Sequence, residues 1–138
     1  MRKSSILVAI CMVVGLVLTV MAQVQEQTLD DAMKQNPGLI MSMNAKIAAN
    51  DAAGAAADAA KLEAIFKTAE DFMTEHKVTD GIGWAKETRA AANDVAKAAK
   101  ANNMDAAKAA AANVGKNCKA CHMAHRAQDP ATKAFSFK

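Results

Sequence analysis

Aromatic residues are scarce in this chain. They make up 4% of its 138 residues, with four phenylalanines, one tryptophan and no tyrosine. So few rings cannot supply the bulk of a core. Cysteine is scarce too: three occur, at positions 11, 118 and 121, too few for a four-cysteine iron–sulfur cluster. There is no block of like charge and no basic stripe interleaved with aromatics. With a formal charge of only +3, the chain lacks the footprint of a nucleic-acid binder. What is abundant is alanine, 34 residues in all. Alanine is the best helix former and a poor strand residue. An all-β sandwich or barrel is excluded, and a parallel α/β sheet is disfavoured. Yet a methyl group buries little area, and apolar burial stabilises by only about 25 cal/mol per Å². The composition therefore specifies helices while leaving open what fills their core.

One long apolar run exists, from Ile6 to Val20, preceded by Arg2 and Lys3. It is short for a membrane span of about 20 residues and suits the hydrophobic region of an export signal. Val20-Met21-Ala22 offers small residues at the positions a signal peptidase reads. Residues 1–22 are expected to be a Sec signal peptide cleaved before Gln23; an uncleaved anchor is the alternative. Ile10 before Cys11 does not fit a lipoprotein signal. Residues 23–138 then form one exported domain with fifteen basic and fourteen acidic residues. The expected location is the periplasm, with no stable membrane insertion after cleavage.

Four helical segments are expected in that domain. Segment A, about residues 25–49, carries Met33, Ile40 and Ile47 at intervals of seven. Pro37 interrupts it: either Asn36 caps a helix that begins at Pro37, or Pro37 kinks a longer one. Segment B, about 52–77, has Leu62, Ile65, Phe66, Ala69, Phe72 and Met73 at spacings of three and four. Residues 78–83 read as a loop turning at Asp80-Gly81. Segment C, about 84–101, presents Trp84, Thr88, Ala91, Val95 and Ala98 on one face. Asn102 breaks the helix and Asn103 caps the next. Segment D, about 104–127, aligns Ala107, Ala111, Val114, Cys118, Cys121 and His125. The tail from Gln128 reads as irregular. Amphipathic helices joined by short links imply an all-α, antiparallel up-down-up-down four-helix bundle, with the cysteines on its C-terminal helix.

Cys118-Lys119-Ala120-Cys121-His122 is a C-x-x-C-H sequence. In an exported protein this pattern reads as covalent haem attachment. Two thiols three residues apart on a helix lie on neighbouring faces and can form thioethers to two vinyl groups. His122 then stands ready to reach the iron. Three other readings compete. A thioredoxin-like site needs a βαβ setting, which is missing. A zinc site needs about four ligands, and Cys118, Cys121, His122 and His125 crowd one helix. A disulfide between such neighbours would be strained and would staple almost nothing. One motif implies one haem c.

Val114-Gly115-Lys116-Asn117-Cys118-Lys119-Ala120-Cys121-His122, with Arg126 four residues on, resembles the C-terminal signature of the cytochrome c-prime family, the class II c-type cytochromes. The resemblance implies a four-helix bundle with its haem motif on the last helix. The stretch after His122 departs from the family, whose members often carry an acid and an aromatic there. In the family's five-coordinate members an apolar first-helix residue shields an open iron site that binds NO or CO. In its low-spin members a first-helix methionine closes the site, and the protein carries electrons. Ala32-Met33-Lys34-Gln35-Asn36 resembles the methionine-bearing segment of the latter. The resemblance thus implies His122 and Met33 as axial ligands, with Met41 and Met43 as lesser candidates. Methionine/histidine ligation raises the reduction potential and suits electron transfer.

The expected function is a monohaem single-electron carrier that is not an enzyme and that meets redox partner proteins. A gas-binding module is the alternative, and a metal-free or zinc-bound interaction protein a weaker one. The family also implies a homodimer through the first two helices. Arg126 is expected either to shield the His122 imidazole, to pair with a haem propionate, or to stand in solvent at a helix end. His125 is expected at the haem edge or in solvent, His76 in solvent near a helix end, and Trp84 and Phe66 in the core. On this reading the porphyrin supplies the core that alanine cannot, and a haem-free chain should be loosely packed or largely unfolded.

Overall fold

The computed structural model describes residue 26 and residues 28–138. The leader and the cleavage site read into residues 1–22 lie outside the described residues. Among those described, no helix is long and apolar enough to cross a membrane.

The periodic stripes of segments A to C become long helices: α1, residues 28–48, α2, Ala52–Glu75, and α3, Thr79–Lys100. The fourth member of the bundle is in two pieces, α4, Met104–Val114, and α5, Cys118–His125. The architecture is an all-α four-helix bundle with antiparallel neighbours. Met33 near the start of α1 packs beside Phe66 and Ala69 late in α2. At the far end Met43 and Ile47 meet Ala55, Ala59 and Leu62.

The connections follow local chemistry. Asp51 caps α2 by accepting from the Gly54 N–H at 2.9 Å, and Asn103 caps α4 through the Ala106 N–H at 3.0 Å. Just beyond the ends of α1, α2 and α3, Asn50, Lys77 and Asn102 adopt positive φ near 55–58°, the left-handed turn that commonly stops a helix.

Four sequence expectations are corrected. Helix α1 runs on through Asn36 and Pro37, so Asn36 is not a cap and no helix begins there; Pro37 lies inside the longer helix, where it removes one internal N–H and crowds the Met33 carbonyl. The loop expected over 78–83 shrinks, because α3 already starts at Thr79. Asp80 lies in its first turn, where the positive helix end favours an acid. Buried Gly81 lets that turn approach α2, since a Cβ there would stand 2.7 Å from Met73 Sδ. Segment D is not continuous: Gly115 ends α4 and Asn117 precedes α5. Finally, the tail is ordered as a hairpin. Strand β1, Arg126–Gln128, pairs antiparallel with β2, Phe135–Phe137, in the register Arg126↔Phe137 and Gln128↔Phe135. Asp129 Oδ1 holds the turn by accepting from the N–H groups of Ala131 at 2.8 Å and Thr132 at 2.7 Å.

The core is asymmetric along the bundle. Its main cluster fills the end away from α5 and joins Met43 and Leu62 to Val95, Val114 and a set of buried alanines. These small side chains let the helices approach closely. The end nearer α5 has only a minor cluster of Phe66, Ala69 and Ala85, against which Leu29 and Met33 pack.

Candidate functional site

Where the core thins, the bundle opens into a cleft of about 270 Å³ that is half open to solvent. Four walls define it. The first half of α1 contributes Leu29, Met33, Asn36 and Pro37; the second half of α2, Phe66, Ala69 and Met73. The first half of α3 contributes Gly81, Trp84, Ala85 and Thr88. The fourth wall is α5 with its flanks, from Asn117 through Cys118, Cys121, His122 and His125 to Arg126, continued by Phe135, Ser136 and Phe137. Every site residue expected from the sequence therefore borders one space: Met33, Cys118, Cys121, His122 and Arg126.

The break at residues 115–117 separates two roles within segment D. Ala107, Ala111 and Val114 go into the main core, whereas Cys118, Cys121 and His125 line the cleft. Helix α5 has no fully buried residue. It is tied down by polar contacts: Asn117 Nδ2 donates to Glu87 Oε2 at 2.8 Å, and His125 Nε2 lies 3.0 Å from Asp80 Oδ1.

Both thiols are free and partly buried. Burial pushes the Cys118 thiol above its ordinary pKa. Burial does the same to Cys121, with the Asp80 and Cys118 charges adding. Protonated, neutral thiols on an apolar wall are the outcome. His122 is exposed, yet the desolvation it does undergo lowers its pKa and the Arg126 charge lowers it further. Both effects favour the neutral imidazole, the form that ligates metals. Among the described residues, no group of three or more His, Cys, Asp or Glu side chains is arranged to hold a metal ion.

Arg126 is both the C-cap of α5 and the first residue of β1. Its guanidinium carbon sits 3.2 Å from the centre of the Phe135 ring, a cation–π contact. His125 is not free in solvent but packs between Trp84 and Phe137, at ring separations of 5.9 and 5.8 Å. Trp84 is half-buried and Phe66 buried, and both line the cleft. His76 is exposed at the end of α2, as expected, and its ring stacks on Phe72 at 4.1 Å.

The first-helix methionines divide cleanly. Met41 is 73% exposed and Met43 is fully buried in the main core. Neither borders the cleft, whereas Met33 does.

Sequence reasoning missed three kinds of cleft residue. Met73 was visible in the α2 stripe but indistinguishable from core. Asn36, assigned as a candidate cap, is buried in the α1 wall. Phe135 and Phe137 alternate around Ser136, a strand signal in a tail that reads as irregular. The hairpin is clipped to Glu26, ahead of α1, since the Phe137 N–H donates to Glu26 Oε1 at 2.7 Å.

No family model and no curated protein matches the chain.

Proposed function

We propose that the protein is a periplasmic monohaem c-type cytochrome that carries single electrons, akin to the low-spin members of the cytochrome c-prime family. The observation that carries this reading is convergence. Residues 33, 118, 121, 122 and 126, picked out by motif and resemblance, come from three separate elements and border one cleft. The residues also fit the group. Two unpaired thiols lie on a partly buried wall, a neutral-leaning imidazole follows them, and the other walls are mostly apolar.

In this reading Cys118 and Cys121 anchor the porphyrin through thioethers. His122 and Met33, on the α5 and α1 walls, would be the residues that ligate its iron. A bound haem supplies a one-electron Fe(III)/Fe(II) couple. The chain's own task is to keep both ligands in place while the charge changes, and to exclude water from the cleft. Phe66, Ala69 and Ala85 supply the dry wall. Arg126 stands near enough to His122 to act on its charge, as a shield of the proximal side. No bond chemistry on a substrate is required, so the protein is not an enzyme in this reading. It exchanges electrons with redox partner proteins and pairs as a homodimer in the manner of the family.

The test is a reduced-minus-oxidised spectrum of protein made in a host with a haem-maturation system. A covalent haem band that survives denaturation and is lost in Cys118→Ala/Cys121→Ala supports the reading; no α-band at all sinks it. A low-spin spectrum that turns high-spin in Met33→Ala supports Met33 as ligand. Rapid CO binding by the reduced wild-type protein favours the gas-binding alternative.

A further inference from the structure

The α1 wall of the cleft carries an unmatched polar group. Asn36 is only 7% exposed and borders the cleft. Its Oδ1 is buried without a hydrogen-bond partner among the described residues. Native proteins leave few such atoms unsatisfied, because an unpaired buried acceptor forfeits its hydration with no return. The one other such atom among the described residues, Glu70 Oε2, is accounted for by Arg89 Nη1 at 3.1 Å. Asn36 has no comparable counter-charge.

A second acceptor stands one turn away. Met33 precedes Pro37 by four residues within the unbroken α1 helix. Proline has no N–H, so the Met33 carbonyl receives no helical hydrogen bond from position 37. The Asn36 acceptor and the carbonyl of Met33 belong to two cleft-lining residues of the same helix, a pair suited to a ligand with two hydrogens to give. Carbon monoxide and nitric oxide have none.

We propose that Asn36 holds a small double-donor molecule inside the cleft, water in the resting protein, bridged between its carboxamide oxygen and the Met33 carbonyl. A buried water typically makes about three hydrogen bonds, and these two acceptors supply most of that demand. Such a molecule puts a fixed dipole beside Met33 in an otherwise apolar wall. Only its electrochemical consequence rests on the haem reading. A dipole whose oxygen points at the iron favours the more positive, oxidised state, because hydrogen bonding and local polarity tune such potentials. Asn36 is then a positioning residue for the distal side.

The experiment is a high-resolution crystal structure of the protein as isolated from a haem-maturation host, with Asn36→Leu alongside. The expected result is an isolated density peak about 2.7–3.2 Å from the Asn36 carboxamide oxygen, lost in Asn36→Leu. A bare carboxamide overturns the proposal. So does a peak that persists in the leucine variant, or a protein or cofactor group seated against Asn36. Should Asn36→Leu fail to fold, the wild-type density alone decides. In coloured protein, the variant's reduction potential should rise, and an unchanged potential removes the tuning role. The spectrum of the same sample judges the haem reading separately. Colourless protein with the peak keeps this inference and sinks the haem; coloured protein with a bare Asn36 does the reverse.

Discussion

His125 Nε2 on α5 and Asp80 Oδ1 in the first turn of α3 meet at 3.0 Å, 45 residues apart in the chain. Asp80 also accepts from the Gly81 N–H at 2.8 Å. Burial pushes its carboxyl up, but these hydrogen bonds and the His125 charge outweigh that and hold it below the ordinary range. The pair is one of few ties on a helix that buries no residue fully. In Asp80→Ala, amide exchange should quicken across residues 118–125 while α2 keeps its protection. Unchanged exchange in α5 would show that the hairpin alone anchors it.

Asp58 is the buried counterpart of that surface tie. It is 3% exposed and accepts from Ser42 Oγ at 2.6 Å and Lys46 Nζ at 2.7 Å, joining α2 to α1. Burial raises its pKa, yet the Lys46 and Ser42 hydrogen bonds and the lysine charges more than offset this, so the net shift is downward. A depressed folded pKa adds stability above the ordinary aspartate value of about 3.9, and that stability is lost as pH falls through the folded value. Asp58→Ala should therefore cost about 1–3 kcal/mol near neutral pH. In urea unfolding, the gap from wild type should stay level from neutral pH down to about pH 5 and shrink below about pH 4. A gap that widens in acid would contradict the assignment.

The asymmetry of the core changes what the haem-free chain should look like. Leu62 and Val95 are fully buried at the closed end without help from the cleft. Loosening should thus be confined to the α5 end instead of spreading through the molecule. In haem-free protein, amides around Leu62, Val95 and Ala107 should exchange more slowly than those at 66–73, 81–88 and 118–125. Leu62→Ala should cost about 2–5 kcal/mol with or without haem. Uniform protection along the bundle would refute this division.

The methionines give a sharper spectroscopic prediction. Met41 and Met43 lie away from the cleft, whereas Met33 and Met73 border it. Met73 Sδ is also the atom nearest the Cβ that Gly81 lacks, so it is engaged by the α3 turn. Met41→Leu, Met43→Leu and Met73→Leu should leave the reduced spectrum unchanged, and only Met33→Ala should convert it. A conversion in Met73→Leu would move the distal ligand to α2.

Strong periodic signals made much of this legible. The stripe from Leu62 to Met73, the break at Asn102 and the cap at Asn103 are set by local chemistry alone. The convergence of Met33 with residues 118–126 was legible only through the motif and its resemblance, because spacing does not reveal which faces meet. Tertiary packing decided the rest. Pro37 sits inside a helix because neighbouring elements hold both of its flanks. Gly81 signals a turn locally, but here its missing side chain admits Met73. Gly115 reads as one weak position in a long helix, yet it ends α4. The hairpin was hidden because three-residue strands give little alternation to read.

The clip between Glu26 and Phe137 spans 111 residues. Contacts so distant in sequence form late, because the loop they close must first lose its freedom. The helical walls can assemble from neighbours, α1 on α2 and α2 on α3, before β2 has any partner. The order of events therefore leaves the mouth of the cleft accessible until the closing stages of folding. A group too large to enter the finished molecule would have its opportunity in that interval.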